Sequence, residues 1–570
     1  MKTLLSHCAT IKVLFLVASG FVLSGCGGGE SPCQEPPPRT FTSSQVAALT
    51  LKEAATITDV ELLSIGTDIK LMSNAALSGL QANTSNTPLW CTQHNAPITS
   101  ITPAQIAALS PAQVRNLGSS ITGVALLVSL NHDTFSQLTS DPAQVSAITV
   151  REFATLPSTN VPLFGVNLKH LAREVLTQMR SGAAFSDPAH LAGITADQIV
   201  TFSSAQLRVL GAGDTGIAQF NSLSNNTFIR LASDVAQVAA FTVPEVAALT
   251  SERFKLLAPN INALSNRVLQ SLRAFGSVND NSQLNVITPD QIATLAPAQV
   301  RLLGAAETGV AQLNSLNNFA FTRLVTDPAQ VAAFTPAEIF DMKFEKFALI
   351  GANFNLLSNG ALGAMHAYGT VNERPQIEAI TPGQMATLTP AQVRYLGATP
   401  YGMAQLNQLS PLTFKKLVSD PAQVAAITPD EIQAFWGARI IEMDVNIQYL
   451  ANATLAKLIS RTAVNTDSAS GHLHSLTPAQ ITVFSPAQIA ILASIDSGFG
   501  IAHLYPPSFR MLSPQQIAVL TPGNVKYVGP DQLVLLSDAS LAAFQPATRA
   551  VLTASQTVHL TPAQHSVCGC

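Results

Sequence analysis

The sequence predicts an all-α fold, an α-solenoid of short Pro-initiated helices in tandem repeats of about 93 residues. One segment recurs four times, as ITPAQIAALSPAQVRNLG from Ile101, ITADQIVTFSSAQLRVLG from Ile194, ITPDQIATLAPAQVRLLG from Ile287 and ITPGQMATLTPAQVRYLG from Ile380. Strand signals are nearly absent, because alternating or β-branched runs are scarce. Self-similarity at a fixed spacing indicates units that bury their apolar faces against their neighbours.

The repeat spacing also divides the chain. A chain of 570 residues is too long for one core, so we expect an elongated array. A half-copy precedes the four near-copies, and a divergent copy, LTPAQITVFSPAQIAIL, follows them. The predicted boundaries are 41–100 for an N-terminal half-repeat or cap, 101–193, 194–286, 287–379 and 380–475 for the repeats, and 476–570 for a C-terminal repeat or cap.

Each repeat begins with a helix-start signal. Thr102 is a preferred N-cap, and Pro103 suits the first helical position because no hydrogen bond needs its missing N–H. Gln105 can reach back to the N–H of the cap residue, which completes a capping box. Ile106 and Leu109 then share one helical face. A second Ser-Pro start follows at once, so we expect helices of about two turns.

One longer helix is predicted in each repeat. The candidates are VNLKHLAREVLTQMR from Val166 and the matching INALSNRVLQSLRAF from Ile261. Helices as short as the others are unstable alone and must be held by packing.

Several residues recur at the 93-residue spacing. The glycines fit left-handed caps at the end of the second helix, and the glutamines fit capping boxes. The arginines and aspartates fit one ion pair in each repeat, and the functional alternative is a row of arginines that grips an extended ligand. The series are Gly118, Gly211, Gly304 and Gly397; Gln113, Gln206, Gln299 and Gln392; Arg115, Arg208, Arg301 and Arg394; Asp141, Asp234, Asp327 and Asp420.

The N-terminus has the pattern of an export signal. Lys2 and Lys12 carry positive charge, and the apolar run VLFLVASGFVL is too short to span a bilayer comfortably. The run leads into Leu-Ser-Gly-Cys, which resembles the lipobox of bacterial lipoproteins. The resemblance implies that residues 1–25 are a signal peptide, removed by cleavage before Cys26, and that Cys26 is acylated.

A tether follows the predicted lipidation site. Residues 26–40 are rich in Gly, Ser and Pro and favour a flexible linker with a stiffer Pro stretch. The chain would therefore be anchored to a membrane by lipid. In the lipoprotein resemblance, Asp after the lipidated Cys retains the protein at the inner membrane. Gly27 stands there instead, so the expected location is the cell envelope, at the outer membrane or cell surface.

Four cysteines remain in the exported chain: Cys33, Cys91, Cys568 and Cys570. An oxidising compartment permits disulfides, and four cysteines allow three pairings that sequence cannot separate. A bond within Cys568-Gly-Cys570 is expected to be strained, so these residues could pair elsewhere or with another molecule. A thiolate metal site with the two nearby histidines is a less favoured alternative, so no metal is predicted.

The composition bears on possible partners. The chain is 47% hydrophobic and only 11% charged, with a net charge of −4. The apolar content is enough to build a core. The negative balance argues against nucleic acid or an anionic membrane surface as a partner. Neutral polar faces favour other proteins, surface polymers or self-association.

The sequence gives little support for catalysis. It contains no HExxH, no phosphate-binding Gly-rich loop, no GxSxG and no calcium loop. His472 and His474 form the one close histidine pair, and the connector NTDSASGHLHS favours a solvated loop over a metal site. The acidic residues do not form a pair suited to acid and base roles. We therefore predict no enzyme activity and no cofactor.

Two resemblances concern the repeated phrase. [LI]TPxQ[VI] resembles the opening of the DNA-reading repeats of TAL effectors, but the base-reading part of that unit does not follow, so the likeness reflects shared capping chemistry. LTxxQ[VI]xxL over residues 101–530 resembles tandem segments of large bacterial exported and adhesin-like proteins. That likeness implies a surface or adhesion role and transfers no binding residue.

Two functions follow as hypotheses. The preferred one is a non-catalytic, lipid-anchored surface protein that mediates adhesion or structural assembly with itself or a matrix. The alternative is a periplasm-facing scaffold that binds other envelope proteins through its solenoid face.

Overall fold

A computed structural model describes residues 37–81, 97–182, 187–258, 260–276, 280–369, 374–399, 401–459 and 471–570. The α-helices are four to nine residues long, and no strand occurs among the described residues. The all-α prediction is therefore confirmed for this part of the chain. Two compact units are present, Met1–Leu138 and Thr139–Cys570.

The first unit consists of short helices joined by tight connections. Its α-helices are Ser43–Ala48, Leu51–Ala54, Asp59–Ile65, Asn74–Gly79, Pro103–Ala108, Pro111–Val114 and His132–Ser140, the last of which contains the division between the units. Its 3₁₀-helices are Gly66–Leu71, Pro97–Ser100 and Leu127–Ser129.

The second unit also begins with short helices. Its α-helices up to residue 286 are Pro142–Ala147, Val150–Ala154, Arg173–Thr177, Ala196–Ile199, Ser204–Leu207, Asn225–Ala232, Val235–Ala239, Val243–Ala248, Ser251–Lys255 and Asn266–Gln270. The 3₁₀-helices of this stretch are Ser158–His170, His190–Gly193, Gly213–Thr215, Phe220–Ser222 and Asn260–Ala263.

The central stretch of the second unit continues the pattern. Its α-helices are Pro289–Thr294, Pro297–Val300, Asn318–Val325, Pro328–Ala332, Pro336–Asp341, Phe344–Leu349, Asn359–Gly363, Pro382–Met385, Pro390–Val393, Pro411–Val418, Pro421–Ala425, Pro429–Ala434, Gly437–Glu442, Asn452–Leu455 and His472–Ser475. The 3₁₀-helices are Leu313–Ser315, Gly351–Leu356, Gln376–Ala379, Leu406–Gln408 and Asp444–Tyr449.

The C-terminal stretch has a regularity of its own that the sequence analysis did not identify. It opens with Pro478–Val483, Pro486–Ser494, the 3₁₀-helices Ile495–Gly498 and Gly500–His503, and Pro506–Phe509. From residue 514 a new helix begins every eight residues. These helices are Pro514–Ile517, Pro522–Val525, Pro530–Leu533, Asp538–Ala542, Pro546–Arg549, Ala554–Thr557 and Pro562–Cys568.

The helix starts follow the predicted capping chemistry. The Thr102 hydroxyl accepts a hydrogen bond from the Gln105 N–H at 3.3 Å, and Gln105 Oε1 accepts one from the Thr102 N–H at 2.9 Å. Ile106 is buried on the inner face of this helix, and Leu109, which is also buried, is the extended residue that ends it, so the predicted shared helical face is wrong for Leu109. The capping-box prediction is thus confirmed here, and the same reciprocal pair forms at Thr288, Thr381, Thr428, Thr477 and Thr561.

The capping glutamine has a second role that connects segments. While Gln105 Oε1 serves the cap, its Nε2 donates to the carbonyl oxygen of Leu62 at 2.7 Å. Gln384 does the same with the carbonyl oxygen of Phe347 at 2.8 Å. Both amides are 1% exposed, so each satisfies buried main-chain groups of two segments at once. One residue therefore starts a helix and ties it to an earlier one.

The recurrent glycines have the predicted left-handed backbone. Their φ angles are 63° at Gly118, 64° at Gly211, 66° at Gly304 and 61° at Gly397. Each N–H donates to a distant leucine carbonyl, that of Gly304 to Leu269 at 3.0 Å. The glycines therefore join two segments at points where a side chain would meet its neighbours.

The two longer predicted helices are wrong. In the stretch from Val166, Leu171 has extended backbone (ψ 141°) and separates a 3₁₀-helix from an α-helix. In the stretch from Ile261, Ser265 is an N-cap whose hydroxyl accepts from the Val268 N–H at 3.4 Å. Apolar periodicity continues across both breaks, because both short helices turn apolar residues inward.

The prediction of a solvated loop is wrong for His472. This residue begins the helix His472–Ser475 and is 4% exposed. Its Nδ1 accepts a hydrogen bond from the Ile459 N–H at 3.1 Å, and its Nε2 lies 2.6 Å from the Phe435 carbonyl oxygen. The polar sequence before it gave no sign that the ring bridges two main-chain groups, one of them buried.

Candidate functional site

Three of the four recurrent arginines bind the main chain. Arg301 Nε donates to the carbonyl oxygen of Ala333 at 2.8 Å, and Arg394 Nε donates to that of Ala426 at 3.2 Å. Arg208 makes the equivalent contact at 3.4 Å. The accepting carbonyls lie at helix C-termini, where a cation offsets the partial negative charge.

The recurrent aspartates are helix caps. Asp327 Oδ1 accepts from the Ala329 N–H at 2.9 Å, and Asp420 Oδ1 accepts from the Ala422 N–H at 2.9 Å. Asp141 and Asp234 cap their helices in the same way. The predicted ion pair between the two series is therefore wrong for Arg208, Arg301 and Arg394. An Asp two residues before an accessible N–H is better placed for a local cap than for a distant pair.

The arginines consequently do not form a row of unengaged guanidinium groups. Arg115, in the first unit, is the C-cap residue of Pro111–Val114. The other three are surface-exposed but held by the carbonyls described above. The series is best explained as part of the helix connections.

The cysteines at the C-terminal end are joined to each other. A disulfide links Cys568 and Cys570, whose Cα atoms lie 5.3 Å apart. This is the pairing that the close spacing argued against. Gly569 makes it possible, because its left-handed backbone (φ 65°) reverses the chain between the two cysteines. The other predicted site cysteines, Cys26, Cys33 and Cys91, lie outside the described residues.

A polar cluster that the sequence analysis missed lies in the second unit. Arg180 forms an ion pair with Asp187, which also accepts hydrogen bonds from the N–H of Ser158 at 3.0 Å and its hydroxyl at 2.8 Å. Hydrogen bonding from Arg180 lowers the pKa of Asp187 to about 2. Beside it, fully buried His190 accepts from the Arg180 N–H at 3.3 Å and lies 2.8 Å from the Leu156 carbonyl oxygen.

The same cluster forms 93 residues later with one informative change. Arg273 Nη2 lies 2.6 Å from Asp280 Oδ2, and Asp280 accepts from the Ser251 N–H at 2.9 Å. Gln283 takes the place of the histidine, accepting from the Arg273 N–H at 3.1 Å and donating to the Val246 carbonyl oxygen at 2.7 Å. An amide cannot transfer protons as an imidazole does, so the arrangement is suited to structure rather than acid–base chemistry. The 93-residue spacing of the Arg and Asp residues was the one sequence feature that could have identified the two clusters.

A second missed series consists of cations that are buried or half-buried. Lys346 is 6% exposed, and its Nζ donates to the Leu316 carbonyl oxygen at 2.8 Å and to Asn318 Oδ1 at 2.9 Å. It also lies 4.9 Å from the ring centroid of Phe321. Burial lowers the pKa of Lys346. Arg253 over Phe228 and Arg439 over Phe414 repeat this arrangement at 93-residue intervals.

The best candidate for a ligand site is a crevice of about 260 Å³ beside Phe275. Residues 270–275 form one wall, and residues from Gly304 to Gln312 form the other. The Phe275 ring is 79% exposed. Glu307 and Thr308 line the same crevice, so it combines an aromatic surface with polar groups. We call it the Phe275 crevice.

An equivalent position 93 residues later is occupied differently. Tyr368 replaces Phe275 and is 51% exposed. Its ring meets Tyr401 edge-on, with centroids 5.5 Å apart, and its hydroxyl donates to Gln405 Oε1 at 3.2 Å. Tyr401 stands where Thr308 stands in the Phe275 crevice. The second aromatic is therefore engaged by neighbours of its own chain.

The described residues contain no group of three or more His, Cys, Asp or Glu residues placed to hold a metal ion. None of their helices has the length and apolar character needed to cross a bilayer. No protein-family model, no curated protein and no solved structure matches this chain.

Proposed function

We propose that this chain is a non-catalytic, lipid-anchored protein of the bacterial cell envelope that mediates adhesion or assembly with itself or a matrix. Its helices would form an α-solenoid of 93-residue repeats, and acylated Cys26 would hold it at the outer membrane or cell surface. The envelope assignment rests on the lipobox-like Leu-Ser-Gly-Cys at the N-terminus.

The observation that carries the binding role is the exposure of Phe275 and Tyr368 at equivalent positions. Packing explains residues that recur inside a core, such as Phe228 and Phe321, which are fully buried. It does not explain why Phe275 remains 79% exposed, nor why Tyr368 at the equivalent position remains 51% exposed although Tyr401 contacts its ring. Exposed aromatic residues bordered by polar groups are typical of surfaces that bind a partner.

Recurring links between segments support the repeat architecture. The N–H of Gly211, Gly304 and Gly397 each donates to a leucine carbonyl 35 residues earlier, at 2.8, 3.0 and 3.0 Å. Links of equal separation are expected of a repeat architecture and support the proposal of a repeated exposed face.

The non-catalytic assignment is supported by the polar clusters. The cluster around His190 has titratable groups and a serine, yet its counterpart has Gln283 in place of the imidazole. A catalytic constellation would open into a pocket. Here the polar groups are engaged with main-chain atoms.

Protease treatment of intact cells tests the location. We expect the full chain to be cleaved on intact cells, and C26A to be lost from the membrane fraction because it cannot be acylated. Protection on intact cells with cleavage only after the envelope is opened would contradict the surface role and favour the periplasm-facing scaffold. Retention of C26A in the membrane would contradict the lipid anchor.

A further inference from the structure

We infer that the Phe275 crevice binds an organic cation, an ammonium or guanidinium group carried on a short apolar stem. The inference deepens the proposed binding role and takes its biological meaning from it. The Phe275 crevice has a volume of about 260 Å³, which suits a group of side-chain size. Pockets for drug-sized molecules begin at about 300 Å³.

The charges around the crevice favour a cation. The guanidinium of Arg273, on one wall, is neutralised by Asp280 at 2.6 Å and also donates to the Leu249 carbonyl oxygen at 3.0 Å. On the opposite wall Glu307 is exposed, and its carboxylate has no hydrogen bond or ion pair within the described residues. Glu307 is therefore the unneutralised charge of the crevice, and that charge is negative.

The aromatic wall favours the same ligand. The face of a phenyl ring carries partial negative charge and attracts cations, with a gain of about 0.5–2 kcal/mol. Phe275 offers an apolar ring without a hydrogen-bonding group, so a neutral polar ligand would gain little from it. This chain already uses the chemistry internally, where the Arg439 guanidinium carbon lies 4.6 Å from the Phe414 centroid. A cation between Phe275 and Glu307 would be attracted by both walls.

The counterpart around Tyr368 provides an internal control. There Tyr401 packs against the aromatic ring and Gln405 accepts from its hydroxyl. The sequence places Pro400 at the position of Glu307, so the carboxylate is missing. We therefore expect the cation to bind at Phe275 and not at Tyr368.

The test is a titration of the full chain, labelled with 4-fluorophenylalanine and purified in a non-ionic detergent. The probes are n-butylammonium, tetramethylammonium and N-acetylarginine methylamide, with 1-butanol as the neutral analogue. We expect a saturable shift of the Phe275 ¹⁹F resonance, assigned by its loss in F275L, with millimolar cation and none with 1-butanol. The relative affinities of the three cations separate a quaternary ammonium from a lysine-like or arginine-like group.

Variants define the site. E307Q should weaken cation binding about fivefold or more, because one attractive charge is removed. T308Y should abolish binding by filling the crevice as Tyr401 fills its counterpart, whereas Y368A should leave affinity unchanged. Circular dichroism melts confirm folding, and the exposed position of Glu307 keeps E307Q informative.

Two results would overturn the inference. One is a shift that 1-butanol produces equally, which would indicate a merely apolar crevice. The other is the absence of a saturable shift with any cation. Neither result would change the expected cleavage of the chain by protease on intact cells. Protection from protease on intact cells would contradict the surface role but would not affect the result of the cation titration.

Discussion

Residues 194–475 and residues 513–570 use the same helix start but connect their helices differently. In the first stretch, runs of closely spaced helices alternate with longer connections that carry the polar cluster of Arg273 and Asp280 and the Phe275 crevice. In the second, each helix begins eight residues after the last. Left-handed glycines occur in the first stretch and are absent from 513–567, all of which is described.

The two stretches share the helices and hydrogen bonds that build the core, and they differ in the connections between those helices. Gln384 reaches the Phe347 carbonyl oxygen 37 residues back, and Gln556 reaches that of Val528 28 residues back. Both amides also complete their own capping boxes. The eight-residue helix start and its amide tie are therefore the common element. The longer connections add the exposed aromatic and charged groups, so the C-terminal stretch is the core motif without them.

Replacing Gly304 should have the largest effect. At Gly304 an added Cβ would lie 2.9 Å from Leu284 Cδ1 and 3.2 Å from the Leu272 carbonyl oxygen, and φ is 66°. Backbone strain and overpacking together should make G304A less stable by about 3 kcal/mol. Chemical denaturation of the full chain measures the loss.

Two other glycines divide this effect into its parts. Gly309 has φ 72° with open space around it, so G309A should cost about 1 kcal/mol from strain alone. Gly529, in the C-terminal stretch, has φ −77° and open space, so G529A should be neutral or stabilising by about 0.5 kcal/mol. Equal losses for all three variants would contradict the proposed difference between the regions.

Loss of the amide tie should be the next largest effect and should be similar in both regions. Q384E and Q556E keep the acceptor for the cap but can no longer donate to Phe347 or Val528. Each should cost about 2 kcal/mol, because buried carbonyls lose their partner and a carboxylate is buried. Q392E is the control, since its partly exposed amide can be replaced by water. A cost confined to one region would disprove a common tie.

Sequence predicted the local chemistry well, because a capping box such as Thr102 with Gln105 is complete within four residues. The interaction partners of the recurrent charged residues were harder to predict from the sequence. A fixed spacing identifies equivalent residues but not the groups they face. Arg301 could match an aspartate or a carbonyl, and only the fold brings the Ala333 carbonyl to it.

The candidate site was beyond sequence reasoning for a related reason. Phe275 and Glu307 meet at one crevice although 32 residues separate them. An isolated Phe within an apolar chain is predicted to lie in the core. The 79% exposure of Phe275 depends on how the connection that carries it folds. The ion pair of Arg273 with Asp280 was equally hidden, although both residues recur 93 residues from Arg180 and Asp187.

Acid should weaken the second unit through His190. Burial lowers the pKa of His190 below 6.5, and the nearby Arg180 guanidinium lowers it further while Asp187 opposes this. The unfolded chain therefore takes up a proton before the folded chain does, and stability is lost as pH falls through about 6.5. H190Q should lose less stability between about pH 7 and pH 5, as Gln283 fills the same role without titrating.

Two controls sharpen this measurement. His132 is exposed, so H132Q should keep the acid sensitivity of the parent chain. The stretch 513–570 has no buried histidine, so the amide-exchange protection factors of its helices, which are corrected for the intrinsic pH dependence of exchange, should be equal at both pH values. Identical pH profiles for the parent and H190Q would show that the imidazole is not protonated on unfolding in this range.

The smallest effect is expected at Glu431, where the capping residue is a carboxylate. Its Oε2 accepts from the Thr428 N–H at 2.7 Å, and burial raises its pKa although these hydrogen bonds oppose the shift. A carboxyl with a raised folded-state pKa contributes its full stability at acid pH and loses it as pH rises through that pKa. E431Q keeps the acceptor and removes the buried charge, so it should stabilise the chain at neutral pH by about 0.5 kcal/mol. The gain should disappear below about pH 4, where Glu431 is mostly protonated in both states. A gain that persists in acid would instead mean that the new amide has found a donor role of its own, as Gln384 has in the same region.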